Sequence, residues 1–252
     1  MYASFAALGE SGAIVAKSSD PKAVSPAAAP GGGVDAFLDK LNRTPAVHAG
    51  AGRGRLIFAL DATMSRQPTW DLAQNLQSRM FETAAALGGL DVQLVYFRGL
   101  SECRSSRFIA NGVGLADLMS KISVSGGNTQ IDKVLKHVRE ECRARRVGAL
   151  VYVGDAMEEN VDDLCQIAGE LGLLGLKAFM FHEGADPMAE AAFREIARLT
   201  GGAYAAFDAA APRKLADLLS AAAAYAAGGR KALEKIAGEG GVTARALLAQ
   251  MK

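Results

Sequence analysis

The segment Arg55-Leu-Ile-Phe-Ala-Leu-Asp61-Ala-Thr63-Met-Ser65 is the strongest indication of the fold class, because an apolar run there ends in a loop of oxygen-bearing side chains. The run at residues 55–60 has the length and composition of a buried β-strand. The loop carries a carboxylate and two hydroxyls at alternate positions, which point the same way when the backbone is extended. We therefore expect Asp61, Thr63 and Ser65 to face one point beyond the first strand.

Similar apolar runs recur along the chain, separated by segments of helical periodicity. The predicted strands are 55–60, 92–97, a short edge strand at 102–108, 149–153, 176–181 and 203–207. The predicted helices are 69–87, 113–122, 131–145, 161–173, 187–200 and 211–227. This alternation predicts an α/β fold with a doubly wound, mostly parallel, six-stranded Rossmann-like sheet and helices on both faces.

The two ends of the chain differ in composition from this alternating core. Residues 1–33 are rich in Ala, Gly, Pro and Ser, and we expect them to be disordered. Residues 34–53 are predicted to form a short amphipathic helix and a linker. Residues 54–227 then form the main domain, and residues 228–252 a helical C-terminal tail.

Composition excludes several classes of function. Among 252 residues the net charge is only +1, and basic residues are spread along the chain, which argues against a nucleic-acid surface or a polybasic membrane anchor. No apolar stretch reaches the roughly 18 residues of a membrane span, and the N-terminus lacks the pattern of a secretory signal. The three cysteines form no CxxC pair, so we expect reduced thiols in a cytoplasmic protein.

Two more oxygen-bearing residues follow the pattern of the first loop. Thr129 ends Gly126-Gly-Asn-Thr129, whose glycines permit a close approach, and Asp155 comes just after a predicted strand. Ligand sites in doubly wound sheets lie beyond the carboxyl ends of the strands. The set expected to converge there is Asp61, Thr63, Ser65, Thr129 and Asp155. Five hard oxygen ligands suit Mg²⁺, Mn²⁺ or Ca²⁺ and leave a coordination position open, whereas the simpler alternative is that they are turn and helix-cap residues.

The motifs together resemble the von Willebrand factor A (VWA) domain family over roughly residues 54–227. The resemblance rests on Asp61-x-Thr63-x-Ser65, Gly126-Gly-Asn-Thr129, Val151-Tyr-Val-Gly-Asp155 and Ile196-Ala-Arg-Leu-Thr-Gly-Gly-Ala-Tyr204. Two departures stand out: Thr63 replaces the usual serine, and Ala156 replaces a frequent glycine.

In that family the matching residues form a metal-ion-dependent adhesion site. The resemblance therefore implies that Asp61, Thr63, Ser65, Thr129 and Asp155 bind Mg²⁺, and that an Asp or Glu of a partner protein takes the open position. It points to the intracellular bacterial type, whose members often work beside AAA+ ATPases in protein remodelling or complex assembly. It implies a binding module, not an enzyme.

Two other functions stay open at this stage. A metal-dependent phosphohydrolase would use Asp61 as its nucleophile, but the aspartyl phosphatase pattern has a second Asp where this chain has Thr63. A scaffold with a vestigial metal site would act through the N-terminal helix and the C-terminal tail.

Other residues near the expected site have both a structural and a functional interpretation. Glu158 and Glu159 are expected to be a solvated helix start, the alternative being negative charge that favours cation capture. Trp70 is expected to pack in the core instead of anchoring an interface, and His182 to be structural instead of contacting a ligand. We assign no chemistry to Cys103, Cys142 and Cys165.

Overall fold

A computed structural model of the chain describes residues 52–63, 67–208 and 212–251. The predicted disordered segment 1–33, all but the last two residues of the predicted helix and linker at 34–53, and the predicted ligand Ser65 lie outside the described residues. None of the helices in the described ranges is both long and apolar enough to cross a membrane.

The described strands form one six-stranded sheet in the order β3-β2-β1-β4-β5-β6. Their bounds are β1 Gly54–Asp61, β2 Leu90–Arg98, β3 Glu102–Ser105, β4 Ala149–Gly154, β5 Lys177–Glu183 and β6 Ala203–Phe207. Only the pairing of β2 with β3 is antiparallel among these strands. The predicted α/β fold with a mostly parallel sheet is therefore confirmed, including the short edge strand.

Helices cover both faces of the sheet. Their bounds are α1 Gln67–Leu76, α2 Ser78–Ala85, α3 Gly112–Ser120, α4 Ile131–Ala144, α5 Val161–Leu173, α6 Pro187–Thr200, α7 Pro212–Gly238 and α8 Val242–Leu248. The single helix predicted at 69–87 is interrupted at Gln77. Both pieces nevertheless bury side chains in the same apolar cluster, so the interruption does not change which face they cover.

Two apolar cores lie on opposite sides of the sheet, because alternate residues of a strand point to opposite faces. On β1, Leu56, Phe58 and Leu60 join the core beneath α1, α2, α3, α7 and α8. The intervening Ile57 and Ala59 join the core beneath α4, α5 and α6. The helices thus change faces between β1 and β4, and a crevice is expected beyond the carboxyl ends of these two strands.

Trp70 belongs to the first of these cores. Its side chain is 2% exposed, and its ring meets Tyr96 edge to face at a centroid distance of 6.3 Å. The predicted packing role of Trp70 is therefore confirmed.

The C-terminal segment packs on the sheet. Gly229 interrupts α7 with φ 68° and ψ −163°, a conformation that is essentially restricted to glycine. Beyond it, Leu233, Leu247 and Met251 are buried in the same core as β1. The side-chain amide of Gln250 accepts from the backbone N–H and donates to the carbonyl of Tyr204, both at 3.0 Å. Gln250 therefore satisfies one residue of the edge strand β6, and the segment after Gly229 packs on the core of the sheet, while the division into domains stays a prediction.

Candidate metal centre

The strands β1 and β4 bring two carboxylates to one edge of the sheet. Leu60 pairs with Val153 in the parallel ladder, so Asp61 at the end of β1 and Asp155 just after β4 follow neighbouring strands. Neighbouring strands lie about 4.8 Å apart. Both predicted carboxylate ligands therefore emerge at the crevice where the helices change faces.

The loop after β1 holds its polar side chains in a buried position. Asp61 is 4% exposed and Thr63 is 7% exposed. The backbone N–H of Thr63 donates to Oδ1 of Asp61 at 2.7 Å, which forms a tight turn and fixes the carboxylate. A cation bound to this carboxylate would interact with it in a medium of low dielectric constant, where the attraction is stronger than in water.

The segment that leads to Thr129 is tied to the loops after β1 and β2. Ser125 donates its N–H to the carbonyl of Ala62 at 3.0 Å, and Asn128 donates to the carbonyl of Gly99 at 3.1 Å. A Cβ atom on Gly127 would lie only 2.1 Å from the carbonyl oxygen of Gly99. Thr129 therefore reaches the same edge as Asp61 and Asp155 because residue 127 has no side chain.

The hydroxyl of Thr129 is oriented by the loop after β4. It donates to Oε2 of Glu159 at 2.6 Å and accepts from the backbone N–H of Glu158 at 2.9 Å. A hydroxyl has one proton and two lone pairs, so a cation can be bound through the second lone pair without breaking either bond.

The predicted solvated helix start was wrong for Glu159. The helix α5 is capped by Asn160, whose side chain accepts from the N–H of Asp162 at 2.8 Å. The carboxylate of Glu159 instead accepts the N–H of Ile131, the first residue of α4. Glu159 therefore caps the helix that Thr129 precedes. The sequence Glu158-Glu159-Asn160 does not predict this cap, because the contact joins segments about thirty residues apart.

His182 lies directly below the loop of Asp155. Its side chain is fully buried, with Nδ1 3.0 Å from the hydroxyl of Tyr204 and Nε2 3.2 Å from the backbone carbonyl of Asp155. Both ring nitrogens are engaged, so the structural interpretation of this histidine is confirmed. His182 lies on β5 and pairs with Gly154 of β4, the residue just before Asp155. Its side chain is therefore placed to support the backbone of the Asp155 loop.

The cysteines carry no sign of activation. Burial raises the pKa of both Cys103 and Cys142 to about 11, and burial also raises the pKa of Cys165. Thiolates are the reactive form of cysteine, so these thiols are protonated and inert at neutral pH.

The donor set at this edge consists of oxygen atoms. No group of three or more His, Cys, Asp and Glu side chains that could hold a metal occurs within residues 52–63, 67–208 and 212–251. A cation site here therefore needs hydroxyl ligands beside the two carboxylates. The described residues with suitable oxygens are Asp61, Thr63, Thr129 and Asp155, and such oxygens fit Mg²⁺, Mn²⁺ or Ca²⁺ better than softer metals.

Comparison of sequences identifies no relative, since the chain matches no protein-family model and no curated protein. Solved structures, in contrast, share its fold. The VWA domain of SpRpn10 matches with a TM-score of 0.53 and 12% identity over 67% of this chain and 94% of that chain. A von Willebrand factor type A protein from Catenulispora acidiphila matches with a TM-score of 0.52 and 14% identity over 69% of this chain and 43% of that chain.

A third match is proximal thread matrix protein 1 from the mussel byssus, in a structure whose metal-ion-dependent adhesion site (MIDAS) motif is occupied by zinc. Its TM-score is 0.54 and its identity 15%, over 69% of this chain and 46% of that chain. This chain thus spans less than half of the mussel and Catenulispora proteins. At these identities the likeness concerns the fold alone. With its strand order and its helices on both faces, the chain has the fold of a von Willebrand factor A domain.

Proposed function

We propose that this chain is a protein-binding module that holds Mg²⁺ at Asp61, Thr63, Ser65, Thr129 and Asp155 and docks a carboxylate of a partner protein on the ion. The observation that carries the proposal is the hydroxyl of Thr129, which is held by Glu159 and by the N–H of Glu158 with one lone pair to spare. That remaining lone pair is what a cation in the crevice would need from this hydroxyl.

The ion would supply a Lewis acid to which a partner Asp or Glu binds after displacing water. The ion would provide the Lewis acidity, and the residues of the chain would present oxygen atoms from different loops at one point. Asp61 is fixed by the N–H of Thr63, and the loop of Asp155 is supported by His182. The zinc in the MIDAS motif of the mussel protein is consistent with a metal site on this fold.

A binding role also agrees with the chemistry around the crevice. The imidazole of His182 has both nitrogens engaged, and Thr63 stands where the aspartyl phosphatase pattern has its second carboxylate. His182 is therefore not placed to act as a base, and Thr63 has no carboxylic acid to protonate a leaving group. We therefore propose docking as the function, in preference to hydrolysis at Asp61.

From the resemblance to intracellular bacterial VWA proteins we further propose a cytoplasmic location and an AAA+ ATPase as the first class of partner to test.

The docking proposal is tested by immobilising the chain and capturing partners from the source cell extract, with Mg²⁺ or with EDTA. We expect the captured protein to be lost on chelation and with Thr129→Ala, because EDTA removes the ion on which the partner docks and the substitution removes one of the ligands that hold it. Thr83→Ala, a half-buried threonine in α2, is the matched control and should capture normally. Capture that survives both EDTA and Thr129→Ala would contradict the proposal.

A further inference from the structure

The loop after β4 contains a carboxylate that reaches back to another loop. Glu159 is half-buried and lies next to Asn160, the residue that caps α5. Its two oxygens are used for different purposes. Oε2 accepts from the hydroxyl of Thr129 at 2.6 Å, and Oε1 accepts from the backbone N–H of Ile131.

The cap of α4 explains why a carboxylate is needed at this place. Gln130 has the N-cap position, but its side chain does not cap the helix. That side chain instead donates to the carbonyls of Arg98 and Gly99, at 3.2 and 3.3 Å. The first N–H groups of a helix need acceptors, and an anion is favoured there by the helix dipole. Glu159 supplies the acceptor and is thereby held beside Thr129.

The same contact determines the direction of the Thr129 hydroxyl. A threonine side chain can rotate, and without a partner its proton could point toward the crevice and repel a cation. Because the proton is donated to Glu159 and one lone pair accepts from Glu158, the remaining lone pair has a defined direction. Partners that orient a metal ligand in this way change metal affinity by about 10–100-fold.

We infer that Glu159 is a positioning residue for the cation site: it holds the Thr129 hydroxyl with its lone pair free for the ion and locks that loop to α4. The inference rests on the proposed metal-dependent function. Glu159 lies outside the expected ligand set. Its effect on the bound ion is transmitted only through Thr129.

The test is a double-mutant cycle in which Mg²⁺ affinity is measured by calorimetry. Glu159→Ala should weaken Mg²⁺ binding by about tenfold in the wild-type background. In a Thr129→Val background the same change should alter affinity by less than about twofold, because the hydroxyl through which Glu159 acts is absent. An equal loss in both backgrounds would overturn the inference and indicate a general effect of negative charge.

The control for charge is Asp162→Ala, which removes an exposed carboxylate three residues away in the first turn of α5. It should leave Mg²⁺ affinity within about twofold of the wild type. A loss as large as that of Glu159→Ala would also overturn the inference. If Glu159→Ala does not fold, Glu159→Gln replaces it, since glutamine keeps one acceptor oxygen but loses the charge. It should weaken Mg²⁺ binding in the wild-type background and change it by less than about twofold in the Thr129→Val background.

A measurement without metal separates this inference from the proposed function. Amide hydrogen exchange at Ile131 should be faster in metal-free Glu159→Ala than in the metal-free wild type, and unchanged in Asp162→Ala. If the wild type binds no Mg²⁺, both the proposed function and the positioning role fail. If the wild type binds Mg²⁺ and Glu159→Ala binds it equally well, only the positioning role fails.

Discussion

Replacing Asp61 with asparagine is expected to weaken Mg²⁺ binding by at least about 100-fold, the upper end of what changes to supporting residues cost. Asparagine keeps the side-chain oxygen that accepts from the N–H of Thr63 at 2.7 Å, so the turn after β1 can be retained. What is lost is the negative charge of a side chain that is only 4% exposed. In such a buried position solvent screens the attraction to a cation less than at the surface.

Calorimetric titration of Mg²⁺ into the wild type and Asp61→Asn measures this change directly. Thermal unfolding gives a second readout, because a ligand that binds only the folded state stabilises it by about 2.7 kcal/mol at 100 times its Kd. At that concentration magnesium should raise the melting temperature of the wild type clearly and that of Asp61→Asn only slightly.

The matched control is Asp91→Asn, at the opposite end of the sheet, where the carboxylate pairs with Arg53 at 2.6 Å. It removes the same charge from the chain and should not change Mg²⁺ affinity. Equal Mg²⁺ binding by wild type and Asp61→Asn would show that the buried carboxylate is not a ligand.

The second large effect is expected at Gly127. Alanine there would place its Cβ 2.1 Å from the carbonyl oxygen and 2.3 Å from the nitrogen of Gly99. These are backbone atoms in a turn and cannot move aside like the end of a flexible side chain. The segment must therefore shift outward and carry Thr129 with it, and we expect Mg²⁺ affinity to fall by about 10–100-fold.

The preceding glycine offers an adjacent control. A Cβ on Gly126 would have no atom within 4 Å, so Gly126→Ala should change Mg²⁺ affinity by less than about threefold. Calorimetry on the pair measures the effect of a single methyl group at two neighbouring positions. If both variants bind Mg²⁺ like the wild type, the packing of Gly127 against Gly99 does not position Thr129.

Much of the fold could be predicted from sequence, because each element carries its own local signal. The helices at 161–173 and 187–200 and the strand at 203–207 begin and end where the structure has them. For the helix at 187–200 the reason is visible: Asp186 caps it, Pro187 starts it and Gly201 ends it in the left-handed conformation. Such signals lie within a few residues of the boundary that they determine.

Other features could not be predicted, because they depend on contacts between distant segments. Residues 228–252 appeared to be a tail, since helical periodicity does not reveal what a helix packs against. Only the structure shows Gln250 hydrogen-bonded to the backbone of Tyr204 at the edge of β6. The role of Glu159 could not be predicted for the same reason, since its partners are Thr129 in the loop before α4 and Ile131 in the first turn of α4.

The candidate site lies between these two cases. Its residues were found because each follows a strand or precedes a helix in a recognisable motif, and the sheet topology brings those places to one edge. Which glycine permits the close approach, and what holds the hydroxyl of Thr129, follow only from atomic contacts. The ligand set therefore stays a prediction, with Ser65 outside the described residues.

A crystal of the chain grown with Mn²⁺ would show which residues bind the ion, because Mn²⁺ uses oxygen ligands similar to those of Mg²⁺ and scatters anomalously. We expect one strong anomalous peak at the carboxyl edge of β1 and β4, within bonding distance of oxygens of Asp61, Thr63, Ser65, Thr129 and Asp155. A crystal without a peak at that edge, or with Mn²⁺ bound only by other residues, would contradict it.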